Sequence, residues 1–110
     1  MAWVRIDDDF FSHPKVVHAW SICPTSIGLW PMTAAAAGRH LTDGYVTGDF
    51  VRQLMPRTRQ RDQAVSALVD TGLWVPNGTG WQIHDWQDYN ESRERVLKRR
   101  KADAMRKRPR

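Results

Sequence analysis

Apolar residues in the middle of the chain recur with the period of a helix and later with that of a strand. From Thr25 or Ser26 to about residue 40 they fall roughly on one face, which predicts an amphipathic helix. A second helix is predicted over about 58–71, with Ala64, Val65, Leu68 and Val69 as its buried stripe and Gly72 as its stop. Pro31 is expected to bend the first of these helices.

Shorter elements are predicted around these two helices. Tyr45-Val46 favours a short strand, and Thr47 is a suitable N-cap for a helix over 49–55 that ends before Pro56. Asn77-Gly78 indicates a hairpin turn between Trp74-Val75 and Trp81–Ile83.

The two ends of the chain are predicted separately. Alternation in Trp3–Ile6 indicates a strand, and Asp7–Asp9 favours a turn. A helix is then predicted from Pro14, capped by Ser12 or His13, with Val16, Val17 and Trp20 facing inward. Asn90 is predicted to cap a final helix, with Glu91 in its first turn.

Two helices followed directly by a tight hairpin is the order of elements in a winged helix-turn-helix. The predicted fold class is therefore α+β and mainly helical, with a small β-hairpin wing and a basic C-terminal helix. We expect two regions, a winged-helix domain over 1–90 and a basic helix or tail over 91–110.

The basic character of the chain is confined to its C-terminal region. Residues 1–90 carry seven Lys and Arg against nine Asp, a net charge of −2, whereas residues 91–110 carry ten against three, a net charge of +7. The sequence pI near 10.0 therefore describes the tail and not the domain. Cations at this density displace phosphate counterions and predict steeply salt-dependent binding to nucleic acid.

Base contacts are expected from the predicted helix over 58–71. Arginines cluster at its N-terminal end, where helix-turn-helix proteins reach base edges and where backbone N–H groups favour phosphate. Gln and Arg side chains suit adenine and guanine edges, whereas Asp62 and Asp70 oppose phosphate, and the wing (76–80) has no cation. The residues predicted to contact DNA are Arg52, Arg57, Arg59, Gln60, Arg61, Gln63, Ser66, Lys98, Arg99, Arg100 and Lys101.

No pattern in the sequence indicates catalysis, a cofactor or a metal site. His13 and His18 are off the i, i+4 spacing of a helical ligand pair, and Cys23 has no second thiol beside it. A glycine-rich phosphate loop and a nucleophile elbow are both absent. From these absent motifs we expect that the protein is not an enzyme. Because no apolar run approaches the length of a membrane span and the N-terminus lacks a signal-peptide layout, we expect it to be cytoplasmic.

Several motifs resemble small proteins of actinobacterial phages and prophages. They include Trp3–Asp8, Ile27–Trp30, His40–Gly44, Gly72–Trp74 and Ile83–Trp86, and they recur in order over roughly residues 1–97. Proteins of this kind look like winged-helix DNA-binding or replication-initiation proteins. The resemblance implies the same fold and a cytoplasmic role in a host bacterium.

The leading hypothesis is a phage-type protein that binds double-stranded DNA and acts in replication initiation or transcriptional regulation. A rival is a phage-encoded adaptor or inhibitor that binds a host protein and uses the winged-helix body as a scaffold, as the negative body and the six tryptophans suggest. RNA binding led by the basic tail is a third reading, and a tail that only confers solubility is a fourth. The oligomeric state and the DNA sequence recognised stay open.

Overall fold

A computed structural model describes residues 4–6, 8–90 and 92–106 of the chain, without the side chains of Asp88 and Tyr89. A 3-10 turn (Phe10–Ser12) precedes six helices and three strands in the described part. In chain order these are α1 (Pro14–Ile22), α2 (Thr25–His40), β1 (Tyr45–Val46), α3 (Gly48–Leu54), α4 (Thr58–Asp70), β2 (Trp74–Asn77), β3 (Gly80–Ile83), α5 (Trp86–Tyr89) and α6 (Arg93–Arg106).

Local capping accounts for several of these boundaries. α1 has Pro14 at its first position, and the His13 side chain accepts the N–H of Lys15, as predicted. The Oγ1 atom of Thr47 accepts the N–H of Phe50 at 3.1 Å and so caps α3. α4 is followed by Gly72, whose φ of +81° is the left-handed conformation that ends many helices. The predicted helices around residues 25–40, 49–55 and 58–71 are therefore confirmed within a residue or two.

The three strands form one antiparallel sheet in the order β1-β3-β2. β3 is central, pairing Val46 with Trp81 on one side and Trp74 with Ile83 on the other. The hairpin turn lies one residue later than predicted, because Asn77 pairs with Gly80 and leaves Gly78 and Thr79 as the loop. Gly78 takes a φ of +59° at the first loop position, as a tight hairpin of this length requires.

The core lies between α2, α4 and the inner face of the sheet. Its fully buried side chains include Val51, Leu68 and Trp74, and α2 meets α4 through small residues such as Ala34 and Ala64. Close helix packing of this kind leaves little space for larger side chains at the interface. In the predicted stripe of α4, Ala64 and Leu68 are buried and Val65 and Val69 are half-buried, while Ala67, which the prediction omitted, is fully buried.

Two predictions for the N-terminal region are wrong. Residues 4–6 form no strand, and Trp3 lies outside the described residues, as does Asp7. Val16 of α1 is buried as predicted, but Val17 and Trp20 are 49% and 58% exposed. α1 packs against α2 through only a narrow strip that includes Val16 and Ala19, so the rest of its apolar side chains stay in solvent.

The start of the C-terminal helix also differs from the prediction. Asn90 does not cap α6, because its side chain accepts the backbone N–H of Arg5 at 3.0 Å. Ser92 caps α6 instead, because its hydroxyl oxygen accepts the N–H of Arg95. The carboxylate of Asp43 accepts the N–H of Arg93 at 2.6 Å. Glu91 lies outside the described residues.

α6 projects from the rest of the molecule. Val96 is its one buried side chain among the described residues, and Leu97 and Met105 are largely exposed. The principal extents of 58 × 30 × 21 Å reflect this, as does the radius of gyration of 15.9 Å. A compact chain of this length would have a radius of about 13 Å.

The fold is thus α+β, mainly helical, with a small three-stranded antiparallel sheet, and the order α2-β1-α3-α4-β2-β3 is compatible with the predicted winged helix-turn-helix. Within the described ranges, no helix combines the length and the apolar character needed to cross a membrane.

Candidate nucleic-acid interface

The outer side of α4 carries a row of exposed polar side chains. Arg59, Gln63 and Ser66 follow one another at spacings of four and three residues, so they lie within about 60° of each other around the helix axis. All three are exposed, and none makes a side-chain hydrogen bond or ion pair within the part of the chain that the structure describes. We call these three residues the outer row. Their polar groups face solvent and are free to bind a ligand.

The N-terminal end of α4 adds positive charge beside the outer row. Arg57 is the N-cap residue, and its side chain makes no capping hydrogen bond. The first turn holds no acidic residue, so the unpaired N–H groups and the positive end of the helix dipole stand beside exposed arginines. An anion would be stabilised at this end of the helix.

Gln60 is exposed like the outer row but lies on a different side of the α4 axis. It lies about 100° from Arg59 around the axis, on the side where Ala64 and Ala67 are buried. The two glutamines of this helix therefore differ in direction while sharing chemistry and exposure. This makes Gln60 the natural control for Gln63.

Two predicted arginines are engaged within the protein. The Nη1 atom of half-buried Arg61 donates to the carbonyl oxygen of Met55 at 3.1 Å, and Met55 is the C-cap of α3. Arg61 thus ties α4 to the end of α3. Arg52 on α3 is exposed but forms an ion pair with Asp49, which neutralises its charge locally.

Acidic side chains limit the positive field of α4. Asp62 and Asp70 are both exposed, and Asp70 lies in line with the outer row at the C-terminal end of the helix. The favourable end for an anion is therefore the N-terminal half, around Arg57 and Arg59.

The hairpin tip is fixed to the body and carries no cation. The hydroxyl of Tyr45 donates to the carbonyl oxygen of Asn77 at 3.2 Å. Gly48, the first residue of α3, lies against the carbonyl of Thr79, leaving room for no more than a tight Cβ contact of 3.0 Å. The tip is held against β1 and α3, and its polar atoms are those of Asn77, Thr79 and the backbone.

The cations of α6 are spread around its circumference. Lys98, Arg99, Arg100 and Lys101 are all exposed, and at 100° per residue four consecutive positions cover most of a turn. Arg106, on the last turn, forms an ion pair with Asp103. A straight duplex touching one side of α6 would meet about half of the positive charges in this segment.

Asp43 is a residue whose role the sequence analysis missed. It occupies the left-handed region with a φ of +54°, and its carbonyl oxygen accepts the side-chain Nε2–H of Gln82 at 2.7 Å. Because its carboxylate also binds the N–H of Arg93, one residue joins the turn before β1, the central strand and the start of the basic helix. The partners lie 39 and 50 residues away in sequence, so no local pattern predicts them.

No group of three His, Cys, Asp or Glu side chains among the described residues is close enough to hold a metal ion. The Nε2 atom of His84 lies 2.9 Å from a carboxylate oxygen of Asp85, both partly exposed, and Cys23 is half-buried and unpaired.

Comparison with protein-family models, curated proteins and solved structures found no match to this chain.

Proposed function

We propose that the chain is a winged helix-turn-helix protein that binds double-stranded DNA. In this proposal α3 and α4 are the helix-turn-helix and β2–β3 is the wing. The outer row of α4 enters the major groove, while Arg57 and the cations of α6 bind phosphates. The biological role is replication initiation or transcriptional regulation of the kind that the resemblance to phage proteins implies.

The observation that carries the proposal is the exposed, unpartnered outer row of α4. On the neighbouring helix α3, the exposed Arg52 and Asp49 form an ion pair with each other. On α4 the arginine and glutamine of the row have no such partner in the described structure, although Asp62 is close in sequence. The arginine can donate two hydrogen bonds to O6 and N7 of guanine, and the glutamine can donate to N7 and accept from the N6 amino group of adenine.

The proposed roles of α4 in base contact and of α6 in phosphate contact follow from their charges. α4 offers few cations and two carboxylates, so it suits base contact better than strong electrostatic attraction. α6 offers many cations and no fixed pattern of hydrogen-bonding groups, so it suits the phosphate backbone. Four to six neutralised phosphates would give a slope of roughly −4 to −5 in a plot of log K against log salt.

Fluorescence anisotropy with a labelled duplex pool over a range of salt concentrations tests this proposal. We expect binding with the steep slope given above. Sequences enriched by repeated selection should then lose preference at one base pair in Gln63→Ala, by about 1–3 kcal/mol, but not in Gln60→Ala. A flat salt response, or equal effects of the two glutamine substitutions, would exclude the proposed contact.

A second candidate function is binding of a host protein, and exposed apolar side chains on α1 and on the 3-10 turn before it favour this function. Trp20 is 58% exposed and Phe11 is 77% exposed, and large aromatic side chains often dominate binding energy at protein interfaces. Co-purification of one host protein that survives nuclease treatment, persists in Arg59→Ala and is lost in Trp20→Ala would support this function over DNA binding.

A further inference from the structure

A pocket of about 500 Å³ lies on the molecule away from the outer row of α4. It is formed where the residues around the 3-10 turn and the start of α1 meet Trp30 of α2 and the two ends of the hairpin, at Leu73 and His84. Pockets that hold small molecules in proteins commonly have volumes of about 300–1,000 Å³. This pocket is large enough for a compact organic molecule.

The floor of the pocket is aromatic and apolar. The rings of Phe10 and Trp30 pack against each other with centroids 5.1 Å apart and planes tilted by 38°. Both side chains are only partly buried although they belong to the packed body, and Val16 and Leu73 complete the apolar surface. A flat ring inserted here would gain aromatic and apolar contact.

The rim of the pocket carries two cations without an ion-pair partner. The side chains of Arg5 and Lys15 both line the pocket, and neither has a hydrogen bond or ion pair to another described residue. Two carboxylates, Asp9 and Asp85, also line it, and an oxygen of Asp85 lies 2.9 Å from the Nε2 atom of His84. The first turn of α1 lies here as well, so the positive end of that helix dipole adds to the two cations.

We propose that this pocket binds a small organic acid with a flat ring, with the ring on Phe10 and Trp30 and the acid group between Arg5 and Lys15. Apolar floor and unpaired cationic rim together select this class over a neutral ring or an inorganic anion, each of which would use only one of the two surfaces. The residues of the pocket are separate from the outer row, so the site is independent of the proposed DNA contact.

Lys15 has a second neighbour that links the pocket to α4. Its Nζ atom lies 3.6 Å from the position that a Cβ on Gly72 would take, directly after the C-terminal end of α4.

The test is titration of the full chain with 2-naphthoate, with 2-naphthamide as the neutral ligand of the same shape. Binding is measured by calorimetry and located by amide chemical shifts in two-dimensional NMR spectra. We expect naphthoate to bind at millimolar concentration or below, with shifts grouped around Val16, Leu73 and His84, and the amide to bind more weakly.

Charge-removing variants complete the experiment. Lys15→Gln and Arg5→Gln should each weaken naphthoate binding by up to about fivefold, the range of one partly exposed charge pair, and should leave the amide unaffected. Lys98→Gln, which removes an exposed cation on α6, should change neither.

The circular dichroism melting curve of each variant shows that it is folded, and Arg5→Gln serves alone if Lys15→Gln unfolds. The site is refuted if naphthoate does not bind, if it binds no better than the amide, if its shifts lie elsewhere, or if the rim variants bind it like the parent.

Discussion

The effect of a methyl group at Gly80 follows directly from the geometry of the sheet. A Cβ at this position would overlap the carbonyl oxygen of Val46 on the neighbouring strand and lie 2.8 Å from the hydroxyl of Tyr45. The obstructing oxygen belongs to the backbone, so a side-chain rotation cannot relieve the overlap. Gly80→Ala therefore has to push β1 away from β3.

The magnitude can be bounded from what β1 contributes. Overpacking a rigid site costs about 1–3 kcal/mol. Complete loss of β1 would remove the burial of Val46, which is 3% exposed. Such a side chain contributes about 1.5–3 kcal/mol, and each lost ladder hydrogen bond adds about 1 kcal/mol. We expect a decrease of about 2–4 kcal/mol in the free energy of unfolding, or about 10–25 °C in Tm.

Gly28→Ala provides the matched control, because it adds the same methyl group to α2 where nothing lies within 4 Å. Removing a helical glycine there should raise the free energy of unfolding by about 0.5–1 kcal/mol. Urea unfolding followed by tryptophan fluorescence measures both variants. If Gly80→Ala is as stable as the parent, the described closeness of β1 and β3 is wrong.

Three further substitutions test other parts of the molecule. Arg57→Ala should make the salt slope of DNA binding shallower by about 0.9 and weaken binding about fivefold at 0.15 M salt, measured by anisotropy, whereas exposed Arg39→Ala should do neither. Thr47→Ala should lower the free energy of unfolding by about 1 kcal/mol, since α3 loses its cap; an unchanged urea midpoint would contradict this. Arg61→Ala should lower the free energy of unfolding by a similar amount in the same assay but leave the salt slope unaltered, because its guanidinium donates to the carbonyl of Met55. A slope change as large as that of Arg57→Ala would count against this role.

Local sequence signals predicted the middle of the fold well. The helix ends at Thr47 and Gly72 depend on side-chain or backbone preferences of one or two residues, so the sequence alone indicates them. The outward positions of α4 follow from helical period, and the exposure of Arg59, Gln63 and Ser66 agrees with it.

The errors concern contacts between residues far apart in sequence. Asn90 is a good cap by type, but its side chain is occupied by the backbone of Arg5, and Ser92 takes its place. Trp20 is apolar and on a helix, yet the described part of the chain leaves it 58% exposed. Arg61 is of a residue type that often binds phosphate, but its guanidinium donates to the carbonyl oxygen of Met55 at the end of α3. Residue type and hydrophobic periodicity do not predict which distant residue a side chain will contact.

Asp43 gives the chain a separable architecture. Its carboxylate binds the N–H of Arg93, the first residue of α6, whereas the core between α2, α4 and the sheet is built from other residues. Exchanging this acid for asparagine, which tolerates the left-handed backbone but carries no charge, would weaken the attachment of the cationic helix and leave the core side chains in place. One substitution can therefore change how firmly the basic helix is held without changing the side chains of the core.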